Sequence, residues 1–206
     1  MSRIFRSGFS SIIRSGFAKP SYRSYVSSNY DKNKSLYWAS KTGNLIMTKI
    51  FIETDADIHS NHDFPLYLAS EYNHMNVVKY LVENGANIKA NCYGALRRAS
   101  ECGNLEVVKY LVENGADVHA NNEHSISLAS RNGHLHIVKY LIEKGVDINA
   151  NSDEPLRSAS ENGHLEVVKI LVENGANINA VNKYAVRWAT LFGHIEIVKY
   201  LASKTQ

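Results

Sequence analysis

Nine histidines and two cysteines are the residues of this 206-residue chain whose types suit metal binding or catalysis. His74, His134, His164 and His194 fall at one position of a recurring pattern, a multiple of thirty residues apart. A metal site draws its donors onto one ion from segments that meet. Donors a whole repeat apart fall on successive units instead, so a structural role is expected for these four. His59 and His62 amount to half a site, with no Cys pair or carboxylate cluster at ligand spacing beside them. His134 and His136 are two apart, and such residues do not face each other on a helix. Cys92 and Cys102 are too few for the disulfide framework of a secreted domain and read as free thiols of a reducing, intracellular compartment. No Gly-rich phosphate loop, nucleophile elbow or zinc-hydrolase signature occurs. Glu83, Glu113, Glu143 and Glu173 follow Lys79, Lys109, Lys139 and Lys169 by four residues, the spacing of exposed helix ion pairs and not of an acid–base dyad. The expectation is a protein that is not an enzyme, with no catalytic residue, no metal and no cofactor.

The elements that carry these residues repeat. Ala39, Ala69, Ala99, Ala129, Ala159 and Ala189 are spaced by thirty, and so are Lys49, Lys79, Lys109, Lys139, Lys169 and Lys199. The units are 31–60, 61–90, 91–120, 121–150, 151–180 and a shortened 181–206, preceded by a segment 1–30 of different composition. Each unit reads as helix, turn, helix, loop. Pro65 suits a first helical turn, where its missing N–H is no loss. Gly103, Gly133, Gly163 and Gly193 stand where a left-handed residue ends the first helix. Asn73 takes that place in the second unit and is the next most tolerant residue of that conformation. Leu105, Val108, Leu111 and Val112, like Leu165, Val168, Leu171 and Val172, form the apolar stripe of a second helix. A pair of short helices cannot bury both of its sides, so neighbouring units must complete the core.

The run from Gly163 to Ala180, Gly-His-Leu-Glu-Val-Val-Lys-Ile-Leu-Val-Glu-Asn-Gly-Ala-Asn-Ile-Asn-Ala, resembles the second half of an ankyrin repeat. The resemblance covers residues 31–206 and is similar in style to the thirty-residue ankyrin arrays of giant DNA viruses. It implies an all-α solenoid of stacked helix-turn-helix units that binds a protein partner on its concave face. The usual ankyrin unit has about 33 residues and a Thr-Pro-Leu-His motif. Here Pro-Leu survives at Pro65-Leu66 and Pro155-Leu156 without the Thr, and β-hairpin fingers are expected to be short or absent.

By that resemblance the inner surface comprises the loop tips and the ends of the first helices. The tips include His62, Asp63, Phe64, Cys92, Tyr93, Glu123, His124, Asp153, Glu154, Lys183 and Tyr184. Phe64, Tyr72, Tyr93, Arg98, Arg131, Tyr184 and Phe192 are the expected partner-binding residues, because aromatics and Arg dominate the energy of protein interfaces. Arg98 stands where sister units have Leu68 or Leu128. Two other readings are a duplicated structural array without a dedicated partner and a substrate adaptor for a ubiquitin ligase, although no F-box-like segment accompanies the repeats.

Residues 1–30 carry Arg3, Arg6, Arg14, Lys19 and Arg23 and no acid, so the +3 of the whole chain leaves −2 for residues 31–206. A nearly neutral array is not expected to bind nucleic acid. No apolar run reaches the ~20 residues that span a bilayer, and a monomer is expected. The basic, Ser-rich composition of 1–30 is that of a mitochondrial targeting segment, and equally that of a basic disordered tail or a membrane-surface segment.

Overall fold

The computed structural model describes residues 31–204, which form six helix pairs. The first helices are α1 (Lys32–Lys41), α3 (Ser60–Glu71), α5 (Ala90–Glu101), α7 (Ala120–Arg131), α9 (Ala150–Glu161) and α11 (Ala180–Leu191). The second helices are α2 (Leu45–Glu53), α4 (Met75–Glu83), α6 (Leu105–Glu113), α8 (Leu135–Glu143), α10 (Leu165–Glu173) and α12 (Ile195–Ser203). No strand occurs among the described residues, in line with the expectation that β-hairpin fingers are short or absent. None of these helices is long and apolar enough to cross a membrane. Residues 1–30, and with them the targeting expectation, lie outside the described residues.

Packing follows the sequence period. Ala39, Ala69, Ala99, Ala129, Ala159 and Ala189 have no exposed surface. Each is followed by another small residue, and these small pairs let first helices lie close to their neighbours. Neighbouring first helices pack more intimately than neighbouring second helices, so the row of first helices is the tight inner side of the stack. Leu81, Leu111, Leu141, Leu171 and Leu201 supply the second-helix side, joining one continuous core that runs from Leu66 to Leu201. Leu36, Ala39, Phe51 and Ala56 form a separate small cluster in the first unit.

The recurring histidines lock one unit to the next. The Nε2–H groups of His74, His134, His164 and His194 donate to the carbonyls of Lys41, Glu101, Arg131 and Glu161 at 2.8–2.9 Å, each reaching the end of the preceding first helix. The imidazole therefore satisfies a helix-end carbonyl that has no partner within its own helix. It also fills the space above the preceding unit's turn. A Cβ built on Gly103, Gly133 or Gly163 would come within 2.5–2.7 Å of the following unit's ring. These glycines have φ of +74° to +81°, so both backbone and neighbour demand the missing side chain.

One junction departs from this rule on both sides at once. Asn73 replaces the glycine (φ 59°), and the next unit carries Asn104 in place of histidine. Asn104 Nδ2 donates to the Ser70 and Glu71 carbonyls at 2.8 and 2.9 Å. A side chain on the turn leaves no room for a ring, and a shorter amide keeps the hydrogen bond. In the first unit the same position is Asn44, whose Oδ1 accepts from the Met47 N–H at 3.0 Å and caps its own helix.

The lysines do not pair with the glutamates four residues ahead. Lys109, Lys169 and Lys199 reach back to Glu106, Glu166 and Glu196 at 2.8–3.1 Å. Helical side chains lean toward the N-terminus, which brings the preceding carboxylate within reach. Lys79 lies over the Tyr110 ring of the next unit, 5.8 Å from its centroid.

Leu111→Ala should lower unfolding free energy by about 2–5 kcal/mol, since the side chain is fully buried between units. Gly133→Asn and His164→Asn should each destabilise, by about 1–3 kcal/mol. Together they copy the Asn73/Asn104 junction, and the double variant should lose less than the sum of the singles by at least about 0.5 kcal/mol. Strictly additive losses in urea unfolding would mean that ring and turn are not coupled.

Candidate functional site

Every described unit after the first enters its first helix through a left-handed turn. Asn61, His62 and Asp63 have φ of 50°, 59° and 58°, and Asn91, Cys92 and Tyr93 follow the same path, as do Asn151, Ser152 and Asp153. Positive φ also marks Asn121, Glu123, Val181 and Lys183. Asparagine and aspartate tolerate this region, whereas most other side chains pay about 1–2 kcal/mol each.

In the second, fourth and fifth units the turn aims its third side chain inward, where it closes the unit. Asp63 Oδ1 accepts from the Asn87 N–H at 2.7 Å, Asp153 Oδ1 from Asn177 at 2.6 Å and Glu123 Oε1 from Asp147 at 3.3 Å. In the first unit Asn33 does the same for the Asp57 N–H at 2.8 Å. Asp63, Glu123 and Asp153 are buried. Their placement among the exposed tip residues is therefore corrected: the left-handed path turns them onto the backbone of the loop that leaves the second helix. Burial pushes the Asp153 carboxyl up from the usual carboxylate range, and the Asn177 N–H opposes that shift. His59 and His119 approach these acids with Nδ1 at 3.0 and 2.7 Å from Asp63 and Glu123. Among the described residues no three His, Cys, Asp or Glu side chains converge as a metal site would require.

The expected partner-binding residues divide among distinct environments. Tyr72 and Phe192 occupy the same repeat position at the ends of α3 and α11, 42% and 52% exposed. Arg131, at the end of α7, is also exposed and lies 3.8 Å from Glu154. These three stand on one ridge, because successive first helices lie side by side. Lys41 Nζ sits 5.2 Å from the Tyr72 ring centroid. Phe64 is half-buried, edge-on to Tyr37 at 5.1 Å and stacked on Tyr67 at 5.5 Å. Tyr184 lies 5.2 Å from Trp188 and carries the Arg157 guanidinium over its ring at 5.1 Å. Tyr93 belongs to the left-handed turn and packs against the core.

Arg98 is half-buried and engaged by two carboxylates. Its Nη2 donates to Glu71 Oε1 at 2.6 Å and its Nη1 to Glu101 Oε2 at 2.8 Å, bridging two units. These two carboxylates raise its pKa further above the ordinary guanidinium value. Where sister units fill this position with leucine, the third unit uses an ion-paired stem.

Trp188 was not among the expected residues, yet it joins Tyr184 and Phe192 in a continuous ladder, 5.2 and 5.4 Å from its neighbours. The spacing 184, 188, 192 is the sequence signal for it, since residues four apart are neighbours on a helix. Tyr37 carries no such signal, because its partner Phe64 is brought to it by stacking between units, whereas Phe64 and Tyr67 are three apart on one helix.

The pattern described as ankyrin repeats, in three copies, matches residues 20–92, 36–122, 96–182 and 126–206. No curated protein matches the chain.

The Glu123 carboxylate holds the His119 pKa above its usual value. A raised folded-state pKa contributes stability that is complete below the unfolded value and fades as pH rises through the folded one. The difference in melting temperature between the parent and His119→Gln should therefore be larger at about pH 5.5 than at about pH 8. A difference that grows toward alkaline pH would contradict the pairing.

Proposed function

Since the chain belongs to the ankyrin-repeat family, we propose that it is a non-enzymatic interaction module that holds a protein partner along its row of first helices. Ankyrin repeats are in general protein-interaction modules and are not catalytic. The observation that carries the reading for this chain is the ridge at the first-helix ends. There the exposed Tyr72, Arg131 and Phe192 differ from unit to unit, while the Asn104 and His164 clamps hold the helix ends that carry Tyr72 and Arg131.

Recognition on such a surface works by presentation. Side chains on pinned helices lose little freedom when a partner docks, so contact energy is not spent on ordering a loop. The aromatic ladder of α11 and the Phe64–Tyr67 stack offer large rigid faces, and Arg131 between them adds a planar charge. Aromatic and Arg side chains of this kind form the energetic centre of protein interfaces.

Proximity labelling of the full chain in its native cell would supply the partner. With that partner in hand, Tyr72→Ala, Arg131→Glu and Phe192→Ala combined should weaken binding by at least about a hundredfold. The melting temperature should stay within about 2 °C of the parent, because surface changes of this kind alter stability little. Undiminished binding would refute the assignment of this ridge.

A further inference from the structure

We propose that the cleft between the second and third units seats one aromatic side chain of a bound polypeptide, a refinement that rests on the first-helix face being the partner surface. The register of the array supplies the reasoning. A residue at one position of each first helix has its counterpart in the next unit, twenty-seven places further along the chain. The pairs at the five junctions are Tyr37–Phe64, Tyr67–Gly94, Arg97–His124, Ser127–Glu154 and Arg157–Tyr184. Phe64 stands edge-on to Tyr37 with ring centroids 5.1 Å apart, and the Tyr184 ring lies 5.1 Å from the Arg157 guanidinium. Tyrosine holds the first place of the pair at two junctions. Tyr37 is answered by a ring, and Tyr67 by a glycine.

A cleft of about 290 Å3 lies where that ring is missing, lined by Phe64 and Tyr67 of the second unit and by Asn91 and Gly94 of the third. That is at the lower limit of small-molecule pockets, about 300 Å3 and upward, and suits a single side chain better than a free metabolite. Phe64 and Tyr67, 5.5 Å apart and within 19° of parallel, continue the aromatic row that begins at Tyr37. A partner's ring beside Gly94 is the next member of that row. A Cβ at Gly94 would stand 3.5 Å from Tyr67 Cδ2, an ordinary contact distance, so a side chain that enters this place reaches the tyrosine ring.

The polar groups of the lining do not call for a charged occupant. Asp63 is buried, and its carboxylate is engaged by the Asn87 N–H at 2.7 Å and by His59 Nδ1 at 3.0 Å. Asn87 Oδ1 accepts from the Lys89 N–H at 3.0 Å, and the Asn91 carbonyl accepts from Arg97 Nη2 at 3.3 Å. Asn61 and His62 are exposed to solvent. What remains unanswered is the Tyr67 ring. A pair of rings in offset or edge-on contact is worth more than the area it buries, whereas an aliphatic side chain gains the area alone. Tyr37 and Phe64 make this contact within the chain, one junction earlier and in the same register.

The test is a titration of the full-length protein, followed by two-dimensional NMR, with acetyl-phenylalanine amide, acetyl-leucine amide and acetyl-arginine amide. The phenylalanine compound should shift the Gly94 and Tyr67 signals saturably and bind about three- to tenfold more tightly than the other two. Gly94→Phe, which puts into the third unit the residue that the second carries as Phe64, should abolish the response by occupying the seat. It should also melt about 1–6 °C above Gly94→Leu, because only the ring completes the pair with Tyr67. Tyr67→Ser, which copies Ser127 at the same repeat position, should abolish the response by removing the facing ring and serves if Gly94→Phe does not fold. No saturable shift, equal or tighter binding of the leucine or arginine compound, or a response that survives either folded variant would overturn the seat. So would a Gly94→Phe protein that melts no higher than Gly94→Leu. None of those results bears on the ridge of Tyr72, Arg131 and Phe192, which is judged by partner binding alone.

Discussion

The side-chain-to-carbonyl clamp across each junction, an imidazole at four of them and the Asn104 amide at the other, is the interaction on which the array depends. A two-helix unit exposes two apolar sides, and stacking buries them, but hydrophobic contact alone sets neither register nor spacing. The histidine sets both, because its Nε2–H must reach one carbonyl of the preceding helix end while its ring fits above a turn without a side chain. The Asn73/Asn104 junction makes the constraint visible. Steric room and hydrogen-bond reach change together, so the two positions behave as one element divided between two units.

A second set of contacts closes the first, second, fourth and fifth units on themselves. The left-handed turn is unfavourable for most of the residues that adopt it, and the carboxylates it directs inward offset that by binding the backbone of the outgoing loop. This turn occupies the place of a hairpin finger, which explains how a thirty-residue unit dispenses with one. The tips become part of the framework, and the exposed surface available to a partner moves to the first helices.

That surface is uneven along its length. Aromatic clusters occupy both ends, around Phe64 and Tyr67 and around Trp188, with charged residues between them. Arg98 belongs to the structure of this middle region, tying Glu71 of one unit to Glu101 of its own. Arg131 is the arginine there that stands open to solvent, with only a distant approach to Glu154.

By itself the sequence determined the architecture. The thirty-residue spacing of alanines and lysines, the apolar stripes such as Leu105–Val108–Leu111–Val112 and the glycine, or in one unit Asn73, after each first helix are local signals, and local signals are enough when one unit is copied six times. The Tyr184–Trp188–Phe192 ladder was legible too, being written in helical spacing. Only the tertiary structure decided which variable residues are surface and which are framework. Asp63, Glu123 and Asp153 look like exposed tip residues until the sign of the backbone φ turns them inward. Arg98 looks like a free charge until the preceding unit brings Glu71 to 2.6 Å. Direction of a side chain and proximity across a junction are properties of the stacked array, and no single unit's residue spacing encodes them.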